Sequence, residues 1–142
     1  MPDSQDLTDS DYRSLGAFRY QIHRFLHFSE EAAKAEGLEP QQHQMLLAIR
    51  ALEEPTTTPT IGQLAEHLFI RHHSAVGMID RLAERGLVER ARGEDDCRQV
   101  RVRATAGGCR KLRQLSRMHR EELRQSGPAL VETLRGLLEQ AA

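Results

Sequence analysis

The residues best suited to chemistry in this chain are cationic, and they are bunched. Residues 71–117 hold 12 Lys and Arg against 6 Asp and Glu, a net of +6, while residues 1–70 carry −6 and residues 118–142 carry −1. The whole chain is nearly neutral, at −1, so the basic band reads as a local anion-binding surface. Within it Arg90, Arg92, Arg98, Arg101 and Arg103 fall on two short alternating runs and the polar stretch between them. Guanidinium groups on a projecting loop suit phosphate oxygens and narrow minor grooves. A solvated mixed-charge surface is the alternative reading of the same band.

Other reactive residue types are sparse. His23 and His27 lie one helical turn apart, a spacing that can chelate a metal. No neighbouring Glu completes the H-E-x-x-H form, so a zinc hydrolase is disfavoured, and a role lining an interface or ligand pocket is preferred. His43 precedes Met45 on the next helix and faces either the same cavity or solvent. Cys97 sits between Asp96 and Arg98. Arginine neighbours favour a reactive thiolate there, Asp95 and Asp96 oppose it, and redox sensing is disfavoured. Cys109 opens a helix and reads as a packed small residue. Asp80 and Arg81 read as an ion pair bracing a helix to the basic hairpin rather than as a catalytic acid and its partner. No Ser-His-Asp arrangement, phosphate loop or zinc-finger spacing is present, so enzyme is the weakest functional class, and neither cofactor nor resident metal is expected.

Composition narrows the class further. A length of 142 residues fits one domain, spanning 1–142, with one modest core. Aromatics are 4% with no Trp, which argues against a large aromatic-lined cofactor site. Charged residues at 29% and apolar residues at 39% are ordinary for a soluble protein. No apolar stretch is long enough to span a bilayer, and no membrane partner is expected. The acidic start, Met-Pro-Asp-Ser-Gln-Asp, has no apolar core and is not a signal peptide. Two cysteines are too few for a disulfide scaffold. A cytoplasmic location is the expectation.

The elements that must position the basic band follow from periodicity. From about Asp9 to Glu36, Leu15, Phe18, Ile22, Phe25, Leu26 and Ala33 recur at helical steps, and Gly37 stops the helix. That stripe is longer than one small domain needs, which implies a partner chain. Pro40 suits the first turn of a second helix, buried through Met45, Leu46, Ile49 and Leu52. Residues 53–59 carry two prolines and form a loop. Thr60 and Gln63 match a capping box for a short helix with Leu64, Ala65 and Leu68 inward. A helix from near His73 turns Ala75, Met78, Ile79 and Leu82 inward and ends at Gly86. The runs 87–92 and 100–104 alternate around a polar turn and predict a β-hairpin, closed by Gly107-Gly108. Residues 109–126 predict a helix, Gly127-Pro128 breaks it, and a final helix runs to about Gln140.

A short capped helix, a tight turn, a second helix and a basic hairpin make a winged helix-turn-helix. The expected fold is mainly α with a two-stranded β-wing, with a winged helix-turn-helix lobe at 40–105 and dimerisation helices at 10–36 and 109–141. The helix at 73–85 is narrow enough for the major groove of B-DNA. Its apolar side is buried, which frees His73, Ser74, Gly77 and Arg81. If the wing and this helix neutralise several phosphates, binding falls steeply with salt.

The chain resembles the MarR (multiple antibiotic resistance regulator) family. The resemblance lies in Thr60-Ile-Gly-Gln-Leu-Ala-Glu66, Ser74-Ala-Val-Gly-Met-Ile-Asp-Arg-Leu82, Glu84-Arg-Gly-Leu-Val88, and Asp96-Cys-Arg98 followed by Val102, Thr105 and Gly108. It implies an obligate homodimer, intertwined through the first and last helices, on a near-palindromic operator in double-stranded DNA. It implies that Arg98 enters the minor groove, that Asp96 orients it and that Arg92 contacts the backbone. The chain departs from the family pattern at Ala104, at Gly77 and at Arg71-His72-His73, so Arg71, His72 and His73 stand as substitute readers or phosphate contacts. With Arg90 and Arg101, these complete the expected DNA-binding set.

The function expected is a sequence-specific, ligand-responsive regulator, a repressor, whose small-molecule effector binds between the dimer helices and the DNA-binding lobe. His23, His27 and His43 are the candidate pocket residues. Ligand would favour a lobe spacing that no longer matches successive major grooves about 34 Å apart. The competing reading is a winged-helix protein-interaction module without a DNA role, whose cue would be an apolar recognition face.

Overall fold

The computed structural model describes residues 6–92 and 99–140. In chain order the elements are α1 (Asp9–Ala35), α2 (Pro40–Ala51), α3 (Ile61–Leu68), α4 (His72–Glu84), β1 (Val88–Arg92), β2 (Val100–Ala104) and α5 (Ala106–Gln140). The five helices and a two-stranded antiparallel sheet are the expected mainly-α winged helix. The chain divides into two compact units. One is Ala32–Ser116, and the other combines the chain up to Glu31 with the chain from Arg117 onward.

The first unit is built on side chains that the periodicity assigned inward. Met45, Leu46 and Ile49 of α2, Leu64 of α3, and Ala75, Ile79 and Leu82 of α4 are fully buried, as is Val102 of β2. Helix starts are set by polar side chains replacing the missing partners of free amides. The Thr60 Oγ accepts the Gln63 amide at 3.1 Å, and the Gln63 side chain accepts the Thr60 amide at 2.9 Å. Glu39 and Gln42 form the same reciprocal box at α2, with Pro40 in the first turn.

Three helices close in one way. A backward bond from two or three residues beyond the helix end runs Leu38 N to Ala33 O, Ile70 N to Ala65 O and Leu87 N to Leu82 O, at 2.8, 3.0 and 3.0 Å. This closure needs a left-handed residue just before the donor. Gly37 and Gly86 supply it at α1 and α4, with φ of 77° and 71°. At α3 the residue is Phe69, with φ 56°.

The hairpin pairs Val88 with Ala104 through Arg92 with Val100. The middle of β2 is fastened to the loop before α3. Val102 N donates to Pro59 O at 2.9 Å, and Thr60 and Arg101 form an isolated antiparallel bridge. After β2, Thr105 begins α5. Its Oγ donates to Gly86 O at 2.6 Å and accepts the Gly108 amide at 3.1 Å. Gly107 and Gly108 therefore belong to the first turn of α5 rather than to a hairpin closure.

The second unit pairs the first part of α1 with the distal part of α5. His119 lies 2.7 Å from the Ser29 Oγ, and its ring meets Phe25 and Phe28 edge-on, with centroids 5.8 and 5.5 Å away. Two C-terminal helices broken at Gly127-Pro128 were expected, yet α5 runs unbroken through Pro128 to Gln140. The correction has a physical basis. Proline's fixed φ is itself helical, so one missing amide and one crowded carbonyl are the whole penalty. The flanking segments rich in Glu, Leu and Arg favour helix on both sides.

Candidate nucleic-acid interface

Helix α4 is two-sided. Ala75, Met78, Ile79 and Leu82 are buried, while His72, His73 and Arg81 are exposed and Ser74 and Gly77 half-buried. His73, Gly77 and Arg81 follow one another at one-turn steps, so they share a face. A Cβ on Gly77 would meet the Arg81 guanidinium at 3.9 Å, an ordinary contact. The Gly77 backbone is thus accessible beneath a cation that can swing away.

The start of α4 differs from that of α3. Arg71 holds an extended conformation ahead of the helix, and no side chain caps the free amides. Those amides, the positive end of the helix dipole, exposed Arg71 and the His72 and His73 rings combine at one end of the helix.

The wing arginines divide by what holds them. Arg90 of β1 forms an ion pair with Asp80 of α4, with both side chains substantially exposed. This is a brace between helix and wing of the expected kind, but Arg81 is not the residue that makes it. Arg101 is half-buried and donates to the Thr58 carbonyl, which ties it to the loop before α3. Arg103 pairs with Glu89 directly opposite it in the register, at 2.6 Å. Arg92 ends β1 opposite Val100. Asp96, Cys97 and Arg98, which carry the expected minor-groove contact, lie outside the described residues.

The three candidate pocket histidines fall in different surroundings. His23 and His27 are exposed on α1, while His43 is buried on α2. The second unit holds a concavity of about 240 Å³ whose lining includes Tyr20, Gln21, Arg24, Phe25 and Leu130, with neither His23 nor His27 among the lining residues. The Gln21 side-chain amide oxygen, Oε1, is buried without a hydrogen-bond partner. Among the described residues no group of three His, Cys, Asp or Glu side chains could hold a metal ion. Cys109 is a free, half-buried thiol in the first turn of α5.

Sequence reasoning missed three features of this surface: the Arg90 partner of Asp80, the tether on Arg101, and the exposure of Phe69 in the turn between α3 and α4. The first two join residues distant in sequence, which no local pattern encodes. The third had a signal, since a bulky residue stands where the closures at Gly37 and Gly86 use glycine.

Comparison with known proteins agrees with this geometry. Residues 36–99 match the model of the MarR family. No curated protein matches the chain by sequence. Among solved structures, a cysteine-to-serine mutant of MarR from E. coli is 25% identical, with 87% of this chain and 91% of that chain covered and a TM-score of 0.70. AbsC, a MarR family transcriptional regulator from Streptomyces coelicolor, is 20% identical over 89% of this chain and 84% of its own, with a TM-score of 0.73. The E. coli mutant complexed with operator DNA is 23% identical over 96% and 99%, with a TM-score of 0.67. Residues 36–99 thus match the MarR family model, and the described residues have the fold of solved MarR-family transcriptional regulators.

Proposed function

We propose that this chain is a homodimeric, sequence-specific DNA-binding transcriptional regulator without enzymatic activity, acting as a ligand-responsive repressor at a near-palindromic operator. The observation that carries the reading is the two-sidedness of α4. Its apolar stripe is sealed in the core, and its outward face is polar, uncapped at the start and flanked by the arginines of the wing. A solved protein of the same fold is complexed with operator DNA, which supports the same use here. The proposed contacts are Arg71, His72, His73, Ser74, Gly77 and Arg81 on α4 and its approach, with Arg90, Arg92, Asp96, Arg98 and Arg101 on the wing.

The homodimer reading is supported by apolar side chains left outward on the second unit. Leu15 and Leu26 of α1 and Leu134 and Leu138 of α5 are between 42% and 66% exposed. Large exposed apolar surface of this kind marks an interaction site. Sedimentation equilibrium showing a monomer at micromolar concentration would remove the dimer. Among the described residues no helix is long and apolar enough to cross a membrane, and a cytoplasmic role is proposed with the DNA reading.

The test of the DNA reading is a mobility shift with the full chain and a fragment from upstream of its own coding sequence. Wild-type protein should shift it at low salt, and Arg98→Ala should weaken binding more than tenfold at fixed salt. No shift at low salt would favour a protein-interaction module. Unchanged affinity in the variant would remove the wing assignment. The effector is proposed to reach His23, His27 and His43. A phenolic compound that raises the melting temperature of wild type but not of a His23→Ala, His27→Ala variant would support that placement.

A further inference from the structure

Phe69 is 96% exposed, more than any other large apolar side chain among the described residues. It also holds φ 56° and ψ 41° and is the sole left-handed non-glycine residue there. The two parallel closures, at Gly37 and Gly86, show what this geometry ordinarily uses. A Cβ in the left-handed region crowds the following carbonyl, and an exposed phenyl ring keeps its apolar surface in water. Both effects oppose Phe69 within the folded monomer, and no burial offsets them.

We propose that the Phe69 ring is a recognition element for duplex DNA, resting against the 5-methyl group of a thymine at the edge of the major groove. The proposal builds on the reading of α4 as the groove-facing helix. Phe69 lies three residues before the first residue of α4, so the two α-carbons are at most roughly 11 Å apart. In helix-turn-helix docking the first residues of the second helix meet base edges, which brings the turn to the rim of the same groove. The thymine methyl is the apolar group the major groove displays, and phenylalanine is among the side chains that contact it. The surroundings argue against a protein partner. Arg71, His72 and His73, which follow closely in the sequence, are all exposed, whereas the centre of a protein interface is depleted of charge.

The experiment uses the full chain and a duplex that wild-type protein selects from a random pool. Affinity is measured for that duplex and for a copy with deoxyuridine at every thymidine, which removes methyl groups and nothing else. Wild type, Phe69→Gly and Phe69→Asn are compared, since both replacements tolerate the left-handed turn without a ring. Phe69→Gly should melt a few degrees above wild type. Both variants should bind the thymidine duplex about fourfold more weakly, the scale of one buried methyl group. Their loss on uracil substitution should be smaller than that of wild type by the same factor. Equal discrimination between the two duplexes in all three proteins would overturn the proposal. So would a lower melting temperature for Phe69→Gly, which would make the ring a structural support. A pool that yields no bound duplex removes the DNA reading itself, whereas a selected duplex indifferent to Phe69 removes this contact alone.

Discussion

The carbonyl oxygen of Leu87 occupies the space that a Cβ on Gly108 would need. Gly108 is buried in the first turn of α5, pressed against the backbone where α4 gives way to β1. The obstructing atom belongs to the backbone and cannot rotate aside. Gly107, one residue earlier, meets only ordinary contacts at 3.7 Å. Neighbouring glycines should therefore respond to one substitution with opposite sign. Gly108→Ala should destabilise by about 2–3 kcal/mol through overpacking, and Gly107→Ala should stabilise by up to about 1 kcal/mol through helix propensity. Urea unfolding of both variants decides it, and a neutral Gly108→Ala would contradict the packing.

Thr105 serves two backbone groups with one hydroxyl, the Gly86 carbonyl and the Gly108 amide. Thr105→Val keeps the shape and removes both bonds. It should lower stability by about 1–2 kcal/mol, the scale of a lost helix cap. Thr105→Ser should recover most of that. A neutral Thr105→Val beside a destabilised Thr105→Ser would mean that the methyl group, not the hydroxyl, matters.

The Asp80–Arg90 pair joins α4 to the wing, but its side chains are 50% and 41% exposed. Water and salt screen such a pair, so a double-mutant cycle should give a coupling below about 1 kcal/mol. Its larger effect should be on charge. Asp80→Asn frees the Arg90 guanidinium, and the slope of log affinity for DNA against log salt should steepen by about 0.9 if that group reaches a phosphate. An unchanged slope would show that Arg90 does not meet the backbone.

Pro128 lies inside α5 and is exposed. Replacing it with Ala restores one amide donor and removes a clash with the preceding turn. Pro128→Ala should raise stability by about 1–3 kcal/mol, read as a higher melting temperature and stronger helical circular dichroism. A lower melting temperature would indicate that the proline ring packs against a partner chain.

How much of this was legible follows the range of the interactions. Local signals read well: Thr60 with Gln63, Gly37, Gly86, and the inward face of α4 all depend on residues within one or two helical turns. The end of the hairpin read less well, because the Thr105 hydroxyl that caps α5 at Gly108 also donates to the carbonyl of Gly86, 19 residues away. Pro128 misled because a rule about cost was taken as a rule about termination. The partners of Arg90 and Arg101 were not legible at all. Alternation marks which way a strand residue points, but not that Thr58 or Asp80 will be waiting there.

The anchorage of β2 has a mechanical consequence. Val102 is bonded to Pro59, and Arg101 is bridged to Thr60, whose hydroxyl also holds the first turn of α3. The hairpin is thus a beam clamped at the middle of β2. Tension applied along its strands is delivered first to the end of α3, one helix ahead of the face that would read bases.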